Sequence, residues 1–158
     1  MKALIIYDSI YNNTEKIAQA IGAAFPDEAI KILKADAFKQ SDLEVLDLLV
    51  VGSPTQGGRA TQNLQNIFNS MAQDRLKNVY VTAFDTRMTG ETNGFGIRML
   101  VKVFGWAADR IAATLTAKGG TLFTHPEGFV VEGREGPLKI GEKERAIGWG
   151  KQIISKLR

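Results

Sequence analysis

The chain predicts an α/β fold, a doubly wound three-layer sandwich built on a five-stranded parallel sheet. Short aliphatic runs at Ala3–Tyr7 and residues 46–52 are too brief for helices and too uniformly apolar for half-exposed strands. They read as strands covered on both faces. Between such runs apolar residues recur at helical spacing, and strands alternating with helices imply right-handed crossovers and a parallel sheet. At 158 residues, residues 1–158 are expected to form one domain with a sizeable core.

The first strand runs into a polar loop, residues 9–14. The helix after it carries Thr14, Ile17, Ala18, Ile21 and Phe25 on one face until Pro26 ends the pattern. Residues 29–33 alternate partly and suit a sheet edge. Ser41-Asp42-Leu43-Glu44 has the form of a capping box, so a short helix is expected to begin there. The strand at 46–52 is expected to stop at Gly52-Ser53-Pro54, because proline cannot donate to a ladder. Thr61 is placed to cap a helix bearing Leu64, Ile67, Phe68 and Met71. Residues 79–84 make a fourth strand, broken off at Asp85. A long helical period then passes through Ile97, Leu100, Val101, Phe104, Ala108, Ile111 and Leu115 to Gly119-Gly120. Trp106 falls inside this helix as a packing residue, as Trp149 does in the last one. A short fifth strand at 121–124 resumes at 129–131 beyond Pro126, and Ala146, Ile147, Gly150, Ile153, Ile154 and Leu157 mark the C-terminal helix.

In doubly wound sheets ligands bind outside the carboxyl ends of the strands. Three polar segments fall there: residues 9–14, 53–59 and 85–90. The first precedes a helix whose opening turn leaves N–H groups unpaired and carries the positive end of the macrodipole. An anion, above all a phosphate, is the natural ligand. Ser9, Asn12, Asn13 and Thr14 add donors, with no Lys or Arg in the loop. The competing reading is that Asn12 or Asn13 caps the helix while Ser9 makes a turn.

Composition removes other classes. No cysteine occurs, which excludes disulfides, thiolate metal sites and a cysteine nucleophile. The single histidine, His125, cannot build a metal site alone. The net charge is +3 and the pI about 9.2, but the basic residues are dispersed and no aromatic-interleaved basic motif points to nucleic acid. No charged-then-apolar leader precedes the first strand, and no apolar run approaches the roughly 20 residues that span a bilayer. A cytoplasmic protein without a membrane partner is expected.

The three loops, in this order, resemble the flavin loops of the flavodoxin family of small FMN proteins, and the resemblance runs essentially end to end. Ser9, Asn13 and Thr14 match the family's phosphate loop, while Tyr11 and Asn12 stand where the family usually has Thr and Gly. Gly52-Ser53-Pro54-Thr55-Gln56-Gly57-Gly58 is similar to the second flavin loop, and Ala83-Phe84-Asp85-Thr86-Arg87 takes the place of the third. Ile147-Gly148-Trp149 resembles a common family ending. The resemblance implies strand order 2-1-3-4-5 and FMN as cofactor, its phosphate on the first loop and its ring between the other two. The cofactor contacts it implies are Ser9, Ile10, Tyr11, Asn12, Asn13, Thr14, Pro54, Thr55, Gln56, Gly57, Gly58, Phe84, Asp85, Thr86 and Arg87. Gln56 stands where the family usually has a Trp, and the third loop offers no Tyr. Met88, Phe95 and Phe129 are the apolar candidates to cover the ring. The family turns over a peptide in the second loop on reduction, which Gly57-Gly58 permits sterically; the alternative is a tight turn that needs positive φ. Arg59 and Arg87 near the ring would favour negative charge on a reduced flavin or on a bound partner, with solvated surface arginines as the plain alternative.

The function so implied is an FMN-binding electron-transfer protein that needs no catalytic side chain and shuttles electrons between redox proteins with acidic docking surfaces. Two alternatives stand beside it: an FMN-dependent oxidoreductase acting on a quinone or porphyrin-type substrate, and a module of the same fold that no longer binds FMN. A phosphorelay receiver shares the strand order but requires an aspartate where this chain has Gly52-Ser53-Pro54. Nothing in the sequence sets the oligomeric state.

Overall fold

The computed structural model of the chain describes residues 1–89, 95, 96, 99 and 105–157. The main elements are β1 (Ala3–Tyr7), α1 (Asn13–Gly22), β2 (Ile30–Lys34), β3 (Leu48–Pro54), α2 (Gln62–Ser70), β4 (Tyr80–Arg87), α3 (Ala107–Ala117), β5 (Thr121–Leu122), β6 (Glu127–Val130) and α4 (Glu142–Leu157). The sheet runs in the order β2-β1-β3-β4-β5, and β6 also pairs with β4, so β5 and β6 are two halves of one outer strand. All of these pairings are parallel.

Alternating side chains divide each central strand between two apolar layers. Leu4, Ile6, Leu49, Val51 and Val81 pack with Leu64 and Phe68 of α2 and Ile111 and Leu115 of α3. Ile5, Tyr7, Val50 and Phe84 pack on the other face with Ile17 and Ile21 of α1 and Trp149 and Ile153 of α4. Both faces of β1 are covered, which is why its sequence is apolar without alternation.

Several boundaries differ from expectation, each for a tertiary reason. The strand β3 does not stop at Gly52 but continues through Ser53 and Pro54 alongside Asp85 and Thr86 of β4. Gly52 still accepts Asp8 N–H on the β1 side at 3.0 Å, whereas Thr55 N–H points to β4, donating to Thr86 at 3.0 Å. By alternation Pro54 faces the side where β1 has already ended, so its missing N–H leaves no gap in the ladder. Likewise β4 does not break off at Asp85: Asp85, Thr86 and Arg87 pair with Gly128, Phe129 and Val130 of β6. The expected capping box at Ser41 is absent. A 3-10 turn spans Gln40–Leu43 instead, with the Asp42 carboxylate accepting the N–H of Lys39 at 2.7 Å. Trp106 precedes α3 in extended conformation instead of lying within the helix. The helical positions read at Ile97, Leu100, Val101 and Phe104, and the loop end at Gly90, lie outside the described residues.

Candidate ligand site at the carboxyl edge of the sheet

A cavity of about 380 Å³ opens at the carboxyl ends of β1, β3 and β4, a volume typical of small-molecule sites. It is lined by Ser9, Ile10, Tyr11, Asn13 and Thr14 from the first loop, Pro54, Thr55 and Gln56 from the second, Thr86 and Met88 from the third, and Val131 and Arg134 beyond β6. All three expected loops therefore converge on it, although not through every expected residue.

In the first loop the capping alternative does not hold. Asn12 occupies the N-cap of α1 in the left-handed region, φ 65° and ψ 3°, and no side chain caps the helix. The first helical bond runs from Lys16 N–H to the Asn12 carbonyl at 3.1 Å, so the N–H groups of Asn13, Thr14 and Glu15 precede the ladder. The Asn13 amide instead donates to the carbonyl of Glu135 at 3.1 Å, and the hydroxyls of Thr14 and Thr86 share a hydrogen bond at 2.8 Å. The Ser9 N–H donates to the Asp8 carboxylate at 2.9 Å, and the Thr61 hydroxyl donates to the same carboxylate at 2.6 Å. Ser9 itself is only 8% exposed, and its Oγ has no hydrogen-bond partner. A buried hydroxyl in that condition is costly. Its position beside the open helix N-terminus suits a ligand with several acceptor oxygens.

The second loop is a two-residue hairpin turn. Gln56 and Arg59 exchange backbone hydrogen bonds of 2.9 and 3.0 Å, and Gly57 and Gly58 between them have φ of 55° and 76°. Positive φ at both central positions is the type I′ requirement that glycine meets without strain. The two glycines lie outside the cavity lining, while Arg59 lines a separate groove of about 230 Å³ with Phe68 and Ile111, residues of α2 and α3.

The third segment mostly underpins the site. Phe84 is fully buried, with the rings of Phe129 and Trp149 edge-on at centroid distances of 6.2 and 6.5 Å. Asp85 is also fully buried and accepts Arg87 Nε at 2.6 Å, Arg87 Nη2 at 2.8 Å and Ala108 N–H at 2.9 Å. Burial pushes its carboxyl above the usual carboxylate range, against the pull of the Arg87 guanidinium, the Ala108 N–H and the Thr55 hydroxyl. The Arg87 guanidinium lies 4.1 Å from the centre of the Trp106 ring. Arg87 is thus committed to an ion pair and Arg59 to another groove, so neither supplies a free positive charge at the cavity. Of this segment only Thr86 and the following Met88 line the cavity. Of the other ring-covering candidates, Phe129 is wholly in the core and Phe95 is exposed outside the lining.

Val131 and Arg134 were not among the sequence-derived site residues. The available signal was positional: β6 runs parallel to β4, so whatever follows Val130 emerges at the ligand edge of the sheet. Among the described residues no group of three or more His, Asp or Glu is arranged to hold a metal ion, and no helix is long and apolar enough to cross a membrane.

Fold and site together define an α/β protein with an uncapped helix N-terminus opening on a cavity where the strand order of a doubly wound sheet reverses. The Flavodoxin family model matches residues 5–149, and the chain belongs to the flavodoxin family. Solved structures share the fold. Oxidised Flavodoxin 1 from Bacillus cereus is 17% identical over 98% of both chains, with a TM-score of 0.77. A flavodoxin from the domain Archaea is 18% identical over 99% of both, at 0.73. Rubredoxin oxygen:oxidoreductase from Desulfovibrio gigas is 22% identical and matches 99% of this chain but 37% of its own, at 0.66. No curated protein sequence matches the chain.

Proposed function

We propose that this protein binds FMN at the carboxyl edge and transfers electrons between redox proteins. The observation that carries the reading is the unpartnered, buried Ser9 Oγ beside the uncapped N-terminus of α1, a donor set suited to a phosphate ester. The Ser9 and Thr14 side chains and the N–H groups of the first turn would hold the phosphate. Ile10, Pro54 and Met88 supply apolar wall that excludes water, and Thr55 and Gln56 supply polar groups for orientation. When bound, FMN supplies the one- and two-electron chemistry that no side chain here provides. The +3 net charge favours encounter with acidic partner surfaces. The test is a titration of the purified protein with FMN and with riboflavin, following flavin fluorescence. Saturable binding, tighter for FMN, supports the reading; equal affinity removes the phosphate assignment, and binding of neither removes the flavin.

A further inference from the structure

We propose that Arg134, on the turn after β6, is a cationic clamp that selects the phosphorylated form of the ligand. The proposal rests on the flavin reading above and adds to it a residue outside the three flavin loops.

Arg134 is the only charged residue in the cavity lining among the described residues. The first loop offers dipoles and hydroxyls but no cation, whereas a phosphate monoester is close to doubly negative at neutral pH. The turn that carries Arg134 is well fixed. Val131 pairs with Leu138 in an antiparallel bridge, Glu132 N–H donates to the Pro137 carbonyl at 2.9 Å, and Gly136 N–H donates to Gly133 at 3.0 Å. Two contacts then press it onto the first turn of α1. The Asn13 amide donates to the Glu135 carbonyl at 3.1 Å. Gly136, at φ 107°, lies so close that an added Cβ would be 2.8 Å from Asn13 Nδ2. Only glycine allows that approach with that backbone. The helix N-terminus and the Arg134 backbone are thereby held together by residues adjacent in the turn.

Among the described residues the guanidinium is uncommitted. Arg87 is paired with Asp85, and Arg145 with Glu127 and Glu142. Among the described residues no carboxylate pairs with Arg134. Its neighbours Glu132 and Glu135 do not line the cavity. A planar fork of donors at the rim of a site with open N–H groups matches the oxygens of a phosphate.

The experiment titrates FMN and riboflavin into wild type, Arg134→Gln and Arg134→Lys at low and high salt. At low salt Arg134→Gln should weaken FMN binding about fivefold, the upper end for an ion pair made by an exposed side chain. Arg134→Lys should fall between the two. The gap between wild type and Arg134→Gln should narrow at high salt through screening, and riboflavin affinity should not change. An FMN affinity of Arg134→Gln within twofold of wild type, or an equal loss for riboflavin, overturns the clamp alone. Wild type that binds neither flavin overturns the underlying reading and the clamp with it.

Discussion

Replacing Gly52 by alanine probes the packing beneath the ligand edge. Gly52 sits opposite Tyr7 and Phe84 in the sheet, and a Cβ added to it would lie 2.0 Å from Phe84 Cζ and 2.5 Å from both Cε atoms. Ordinary contact begins at 3.4 Å, so the ring must retreat by roughly 1.5 Å, an overlap that tight cores resist. Phe84 is fully buried, with Phe129 and Trp149 edge-on against it, and it cannot move without displacing both. Overpacking costs about 1–3 kcal/mol. The closed surroundings place Gly52→Ala near the upper end, and for a domain of this size a loss of about 3 kcal/mol lowers Tm by roughly 6–12 °C. Urea unfolding and thermal melts of Gly52→Ala, Phe84→Leu and the double variant measure it. Leucine vacates the ring's volume, so the double variant should be less destabilised than the sum of the singles by about 1 kcal/mol or more. A Gly52→Ala protein within about 0.5 kcal/mol of wild type, the range of an unremarkable surface change, would refute the packing account, as would additive singles.

Ser9→Ala removes a buried hydroxyl without a partner and should leave the ligand-free fold at least as stable as wild type, yet weaken FMN by about 10- to 150-fold, the value of a hydrogen bond to a charged group of about 1.5–3 kcal/mol. Comparing FMN with riboflavin checks it, because riboflavin should be insensitive. Arg87→Ala strips Asp85 of its guanidinium inside the core and should cost about 3 kcal/mol at neutral pH. Without Arg87 the largest pull against the burial that raises the Asp85 carboxyl is gone, so the carboxyl takes up a proton more readily than in wild type and the deficit should shrink as pH falls; urea midpoints at neutral and mildly acidic pH test both signs. Glu142 pins the outer strand, accepting Val130 N–H at 2.6 Å and pairing with Arg145. Burial raises its carboxyl, but the Arg145 guanidinium and the Val130 N–H outweigh that and hold it below the usual range. A depressed carboxylate contributes stability above its unfolded pKa and loses it as pH falls through the folded value. Glu142→Gln should therefore cost about 1–2 kcal/mol at pH 7, with the gap to wild type closing below about pH 4 in pH-dependent unfolding.

Much of this molecule is written locally. The unbroken apolar character of Ala3–Tyr7 and of residues 48–51 demands cover on both faces, and the helical periods between strands supply it, so alternation and a parallel sheet follow. The position of residues 9–14 between a buried strand and an amphipathic helix is equally local, and it places donors at a helix N-terminus. The glycine pair at 57–58 likewise shows its turn in its own composition.

Tertiary structure decided the rest, because pairing and burial depend on neighbours distant in sequence. Pro54 can lie in β3 because β1 has ended beside it, and Asp85 to Arg87 continue β4 because β6 arrives from 43 residues away to pair with them. Once β4 continues, alternation turns Phe84 into one layer of the core and Asp85 toward α3, leaving Thr86 for the cavity. Asn13 is a cap or an anion donor in any local window. Its amide became the anchor of the 131–138 turn only through a contact 122 residues apart. That same contact holds the turn that carries Arg134 against the first turn of α1, at the cavity that Ser9 and Thr14 also line.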